Sequence, residues 1–146
     1  MRTPTLSLTF LLVLSTAAAT ARDDHKMFPL EDALNTPAAK EKLDSSVKLY
    51  FGKQSHPKVA KVIGEWGTNK KTNAFGKSDK DACEWVFLSA ILTMQERARS
   101  EGGDAIINIR SNYKSIETSS ETEYMCGAGA LMAGVAFKGE VVKLAK

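Results

Sequence analysis

One segment limits the folds open to this chain more than any other. It is a capped, apolar-striped stretch from Asp79 to Glu101 with β-rich sequence on both sides. Ser78 supplies an N-cap oxygen, and Asp79 and Asp81 put negative charge into the first turn. Asp81 stands third after the cap, an acidic variant of the capping box. Cys83, Phe87, Ala90, Ile91, Met94 and Ala98 recur at helical spacing, and Trp85, Leu88 and Leu92 widen the stripe. Gln95, Glu96, Arg97 and Arg99 read as the wet face near the end. The two arginines suit the negative pole of the helix, and Gly102 is a left-handed stop.

The flanks read as strands. Val47–Phe51 alternates and is β-rich, and Val59–Thr68 follows with Val59, Val62 and Trp66 as packing residues. Gly64 and Gly67 point to a bulge or a close backbone approach. Beyond the helix, Ala105–Ile109 is a buried strand that can reach Tyr113, and Ser115–Ser120 is a polar hairpin loop. Glu121–Cys126 starts another strand, and Ala128–Phe137 continues as an apolar stretch. Lys138-Gly139 reads as a turn or bulge, and Glu140–Leu144 closes the sheet. Near the start, Leu30–Leu34 is a short helix, and Thr36 with Pro37 opens another that runs to Leu43. Residues 22–29 read as a mobile lead-in docked through Met27 and Phe28. The order predicts an α+β fold. It has an antiparallel-rich sheet of about five strands, one long helix packed on one face, and short N-terminal helices.

Residues 1–21 carry a different signal. Arg2, the apolar run Leu6–Leu14 and the small-residue pattern Ala19-Thr20-Ala21 read as a secretory signal peptide. The apolar run is far shorter than the ~20 residues of a membrane span, so no retained anchor is expected. Cleavage after Ala21 leaves a chain beginning at Arg22, with no cysteine there for lipid attachment. Residues 22–146 are then expected to form one domain, exported to the periplasm or secreted. Without Arg2 there are 19 cationic side chains against 17 carboxylates. Such a balance suits solubility and is far from the footprint of a nucleic-acid binder.

Two cysteines, Cys83 and Cys126, complete the frame. In a reducing cytosol they would be buried thiols; in an exported chain a pair is expected to form one disulfide. Closing a loop of about 44 residues stabilises by roughly 4 kcal/mol in the chain-entropy account. If Cys126 faces inward from its strand, the bridge staples helix to sheet.

Most chemistries find no foothold. His25 would be fourth in the cleaved chain, one place beyond an amino-terminal copper site, and His56 precedes Pro57 in a turn. Neither has a second histidine or free cysteine at ligand spacing, so no metal ligands and no cofactor are assigned. There is no G-x-S-x-G, and Glu117, Glu121 and Glu123 read as surface acids; no catalytic residue is assigned. Gly102-Gly103-Asp104 ends a helix rather than opening one, and Gly127-x-Gly129 is not a phosphate loop. What remains is the segment Asn69–Lys77, read as a basic loop. Lys70, Lys71 and Lys77 surround Asn73 and Phe75, with Trp66 just before. A basic loop with an aromatic can bind an anionic polymer or a partner. The favoured alternative is a solvated loop whose Phe75 plugs the core below the helix start while Asn69 and Asn73 hold the turn.

Ala98-Arg99-Ser100-Glu101-Gly102-Gly103-Asp104-Ala105-Ile106-Ile107-Asn108-Ile109-Arg110 resembles the helix-to-strand signature of the YbjQ-like family, described as heavy-metal-binding. The stretch Gly129–Leu144 resembles that family's last strands, so the likeness covers about Val59 to Leu144. Similar joints occur in small envelope proteins related in fold to the stress-sensing lipoprotein of the Rcs phosphorelay. Tyr50–Gln54 and Thr68–Ser78 resemble segments of small exported bacterial proteins often labelled excinuclease ATPase subunit. That label has no chemical support here, because the chain has no P-loop motif and no zinc-ligand cysteine cluster. The resemblance implies that homo-oligomers can form, and it transfers no ligand set. The expected function is non-catalytic binding in the cell envelope, stress-related or partner-sensing, with an unidentified protein or envelope partner. The alternative is a small-ligand or metal-binding protein of the YbjQ-like type.

Overall fold

The computed structural model describes residues 21–146, so the signal-peptide reading of residues 1–21 lies outside the described residues apart from Ala21. In chain order the elements are β1 (Asp24–Pro29), α1 (Leu30–Leu34), α2 (Pro37–Lys42), β2 (Lys48–Phe51), β3 (Val59–Asn73) and α3 (Asp79–Ser100). Then follow β4 (Ala105–Tyr113), β5 (Ile116–Thr118), β6 (Glu123–Ala128) and β7 (Met132–Leu144). The fold is α+β: one seven-stranded mixed sheet with a single long helix.

The long helix forms as its sequence dictates. Ser78 Oγ accepts the Asp81 amide at 3.1 Å, and Gly102 adopts φ +81° just past the end. Cys83, Val86, Phe87, Ala90, Ile91, Met94 and Ala98 are buried along one stripe. Two expectations fail on this helix. Trp85 is exposed, with Lys42 Nζ 5.2 Å above its ring, and so does not widen the buried stripe. Gln95 is not wet but 2% exposed, held in the joint between α3 and the α2–β2 connection.

The sheet is organised by β7. β3 pairs antiparallel along its length, from Val59↔Leu144 to Asn73↔Met132. β4 pairs with its far part (Ala105↔Val142 to Ser111↔Phe137), and β6 pairs at its start (Gly127↔Gly134, Ala128↔Ala133). β2 joins β4 in parallel, the one parallel contact among the paired strands. Phe87 of α3 lies against Tyr124 (centroids 4.6 Å apart) and edge-on to Phe137 (5.6 Å), which places the core between helix and sheet.

Seven strands replace the expected five, because polar segments acquire backbone partners. The expected mobile lead-in is β1, paired from Asp24↔Ala128 to Pro29↔Glu123, with the Phe28 ring 6.0 Å from that of Tyr124. Part of the expected hairpin loop is β5, paired with Ser111–Tyr113. No turn interrupts Lys138-Gly139. β7 runs straight through, and the irregularity lies in its neighbour, between Ile107 and Arg110, where Asn108 has φ +49°. Gly139 serves close packing instead: a Cβ there would come within 2.7 Å of the Ile106 side chain. The bulge expected near Gly64 is present, between Val62 and Gly64, and it leaves Val62 exposed rather than packed.

Cys83 and Cys126 form a disulfide, with Cα atoms 6.0 Å apart and both residues fully buried. It joins α3 to β6, as the inward placement of Cys126 predicted.

Candidate functional site

The segment Asn69–Lys77 is not one loop. Asn69 to Asn73 complete β3, paired with Ala136 to Met132 of β7, and only residues 74–78 connect to α3. Strand alternation therefore separates the adjacent lysines. Lys70 lies opposite Val135, a core residue, whereas Lys71 crosses the close-packed Gly134 and lines a small cleft with Tyr113 and Met132. Asn69 lies in the strand, beside a cleft it shares with Asn112 and Lys114, and holds no turn.

The turn is held by Asn73, whose Oδ1 accepts the Phe75 amide at 2.8 Å. Lys77 Nζ donates to the Asn73 carbonyl at 3.0 Å, and Gly76 takes φ +73°. This turn sends alternate residues opposite ways. Ala74 goes inward, 4% exposed, with its amide bonded to the Leu131 carbonyl at 2.8 Å. Phe75 goes outward and is 73% exposed, so it is not the core plug that its position suggested. The Ala74–Leu131 bond brings the β3–α3 connection beside the β6–β7 turn, where Leu131 is 64% and Met132 50% exposed. Three large apolar side chains thus stand out at one end of the molecule.

Trp66 is not part of this end. It lies seven strand residues from Asn73, roughly 23 Å away at the usual strand rise. Its ring covers Gly64, and the Arg97 guanidinium sits 5.9 Å from its centre. Trp66, Thr93, Met94, Arg97 and Val141 help to line a separate cleft of about 360 Å³.

Charge at the Phe75 end is one-sided. No Asp or Glu occurs from Trp66 to Ser78 or from Tyr124 to Gly139. Three nearby carboxylates are engaged, and Asp81 in the first turn of α3 has no ion pair among the described residues. Asp79 takes Arg22 at 2.9 Å and Lys26 at 2.7 Å, and these partners, Arg22 foremost, hold it well below the usual carboxylate range. Asp24 takes Arg22 at 3.0 Å. Asp23 accepts Lys114 and the Tyr113 hydroxyl (3.1 Å), and the Lys114 bond is the main reason its pKa is lowered. Lys70, Lys71 and Lys77 have no acidic partner among the described residues.

The remaining candidates stay apart. His25 meets the Tyr113 ring edge-on at 5.1 Å and Asp23 at 3.5 Å, while His56 lies against Tyr50. Among the described residues, no group of three His, Cys, Asp or Glu is placed to hold a metal ion. Glu117 pairs with Arg110 (3.3 Å) and Lys138 (3.5 Å) on the sheet face that also carries Glu65. Sequence reasoning missed Leu131 and Met132 because they sit in a run that reads as one apolar strand. The glycines around them, Gly127, Gly129 and Gly134, were the available sign of a turn. No protein-family model, no curated protein and no solved structure matches this chain.

Proposed function

We propose that this chain is a non-catalytic binding protein of the cell envelope, exported by its leader, that engages its partner through the Phe75–Leu131–Met132 end. One observation carries the reading: the outward Phe75, with Leu131 and Met132 on the adjoining turn, Lys71 without an acidic partner and Lys77 held by the Asn73 carbonyl. Large apolar side chains exposed together mark an interaction surface. The buried disulfide is compatible with an oxidising compartment.

The test is photocrosslinking in living cells. A photoreactive residue at position 75 should give a specific adduct, and the same residue at Ile116, also exposed but on β5, should not. Equal labelling at both positions, or none at 75, overturns the proposal.

A second reading has its own observation. The cleft beneath Trp66 and Arg97 falls within the size range of small-ligand sites, which supports the alternative of a ligand-binding protein of the YbjQ-like type. Native mass spectrometry of protein from a periplasmic fraction should then show a retained mass that W66A abolishes. A bare wild-type chain counts against it.

A further inference from the structure

Resting on the binding proposal above, we infer that the surface this protein engages is an anionic lipid bilayer, docked by Phe75, Leu131 and Met132 with Lys71 and Lys77 at the headgroups. Four features of the chain converge on this occupant. The apolar side chains come from two separate connections, joined by the Ala74–Leu131 hydrogen bond, so they form a fixed projection rather than a groove suited to a peptide. A projection of this kind inserts among acyl chains, while lysines at its flanks meet phosphates. The second feature is charge. The stretches on both sides are free of acids, and Asp23, Asp24 and Asp79 nearby are each engaged by an arginine or lysine. Asp81, in the first turn of α3, is the one acid near this end without a basic partner among the described residues. Lys71 has no acidic partner among them, and Lys77 is held by the Asn73 carbonyl at 3.0 Å, so positive charge prevails toward a negative surface.

The third feature is rigidity. Met132 is locked in register opposite Asn73, and the Gly129 amide bonds the Met132 carbonyl at 2.9 Å. Presentation therefore costs little ordering on contact. The fourth is where the chain enters the fold. The Arg22 carbonyl closes on Gly129 so tightly that a Cβ there would lie 2.9 Å from it. With the leader cleaved after Ala21, the new amino terminus at Arg22 lies at this same end. Its positive charge adds to those facing an anionic surface.

The experiment uses protein produced from the full chain with its disulfide intact. It measures co-sedimentation with vesicles of mixed phosphatidylcholine and phosphatidylglycerol, and with vesicles of phosphatidylcholine alone. The expected result is binding to the anionic vesicles that weakens with salt. F75S/L131S should reduce it at least about tenfold, from the apolar area no longer buried. K71Q and K77Q should each reduce it about fivefold. All four changes are at exposed positions, and an unchanged melting temperature excludes misfolding as the cause.

Several results would overturn the inference. Absent binding does so, and so does binding that F75S/L131S leaves intact, which would be mere adsorption of charge. A dimer that F75S/L131S dissociates, without vesicle binding, would make a second copy the occupant. A protein-sized crosslink at position 75 with no vesicle binding would remove the lipid inference and leave the binding proposal standing. Failure of both experiments would remove both.

Discussion

Gln95 is a polar side chain placed where the helix stripe should be wet, yet it is buried and fully used. Its Oε1 accepts the Asp44 amide, and its Nε2 donates to the Asp44 and Val47 carbonyls, each at 2.9 Å. It satisfies backbone groups of a connection that has no sheet or helix to do so. Gln95→Ala should therefore cost about 2–3 kcal/mol, because it leaves the Asp44 amide and the Val47 carbonyl without their partner, while the Asp44 carbonyl keeps the Val47 amide at 3.2 Å. Urea unfolding reads this directly, and a loss under about 0.5 kcal/mol would mean the connection re-bonds elsewhere. Tyr124 is the opposite case. Its ring is central to the core, but its hydroxyl has no partner among the described residues, and burial keeps the phenol protonated far above its ordinary range. Tyr124→Phe should raise stability by about 1 kcal/mol, since it removes a desolvated group and no hydrogen bond. A measurable loss would show that the hydroxyl has an unseen partner.

At the scale of elements, β1 is tied to α3 by charge as well as by its pairing with β6. Arg22 and Lys26 converge on Asp79 at the first position of the helix, where a carboxylate also suits the dipole. Asp79 is held ionised in the fold to lower pH than in the unfolded chain. The native state then binds fewer protons than the unfolded one, so this contribution is present above the ordinary Asp range of about 4 and declines as pH falls through and below it. Asp79→Asn removes it. The expected outcome is a stability–pH curve shallower on the acid side than that of the wild type, measured by denaturant unfolding between neutral and acid pH. Superimposable curves would mean the ion pairs are fully screened. From its polar residues, β1 reads as a mobile lead-in docked through Met27 and Phe28. A strand at a sheet edge needs only backbone pairing and one anchored side chain, here Phe28, and neither appears as periodicity.

For the molecule as a whole, the disulfide links β6, the last strand but one, to the long helix α3, over a separation of 43 residues. Its removal frees a long loop in the unfolded state. Cys83→Ala with Cys126→Ala should cost about 4 kcal/mol by chain entropy. For a domain of this size that corresponds to a fall of about 15 °C in melting temperature, read by calorimetry. An unchanged melting temperature would mean that the core alone holds α3 on β6. The aromatic cluster around Phe87 makes a smaller loss conceivable only if the unfolded chain is already compact there.

What the sequence determined by itself is local and one-dimensional. Ser78, the apolar stripe and Gly102 set the long helix. The Thr36-Pro37 pair set the second short one, whose Thr36 Oγ1 accepts the Ala39 amide at 3.1 Å. Cap chemistry and periodicity act within a few residues, so they can be read along the chain. The cysteine pairing was legible because only two were present. Tertiary structure decided everything that depends on which backbone edge meets which. It decided that Asp24–Pro29 is a strand, that β7 passes through Lys138-Gly139 without a turn, and that Lys70 and Lys71 part to opposite faces. The candidate site belongs to this second class. Phe75 had the residue type of a core plug, but the Asn73 turn and the register of β3 against β7 put Ala74 inside and Phe75 outside. Which of two neighbours is buried depends on a parity that long-range pairing fixes, and a one-residue shift reverses it.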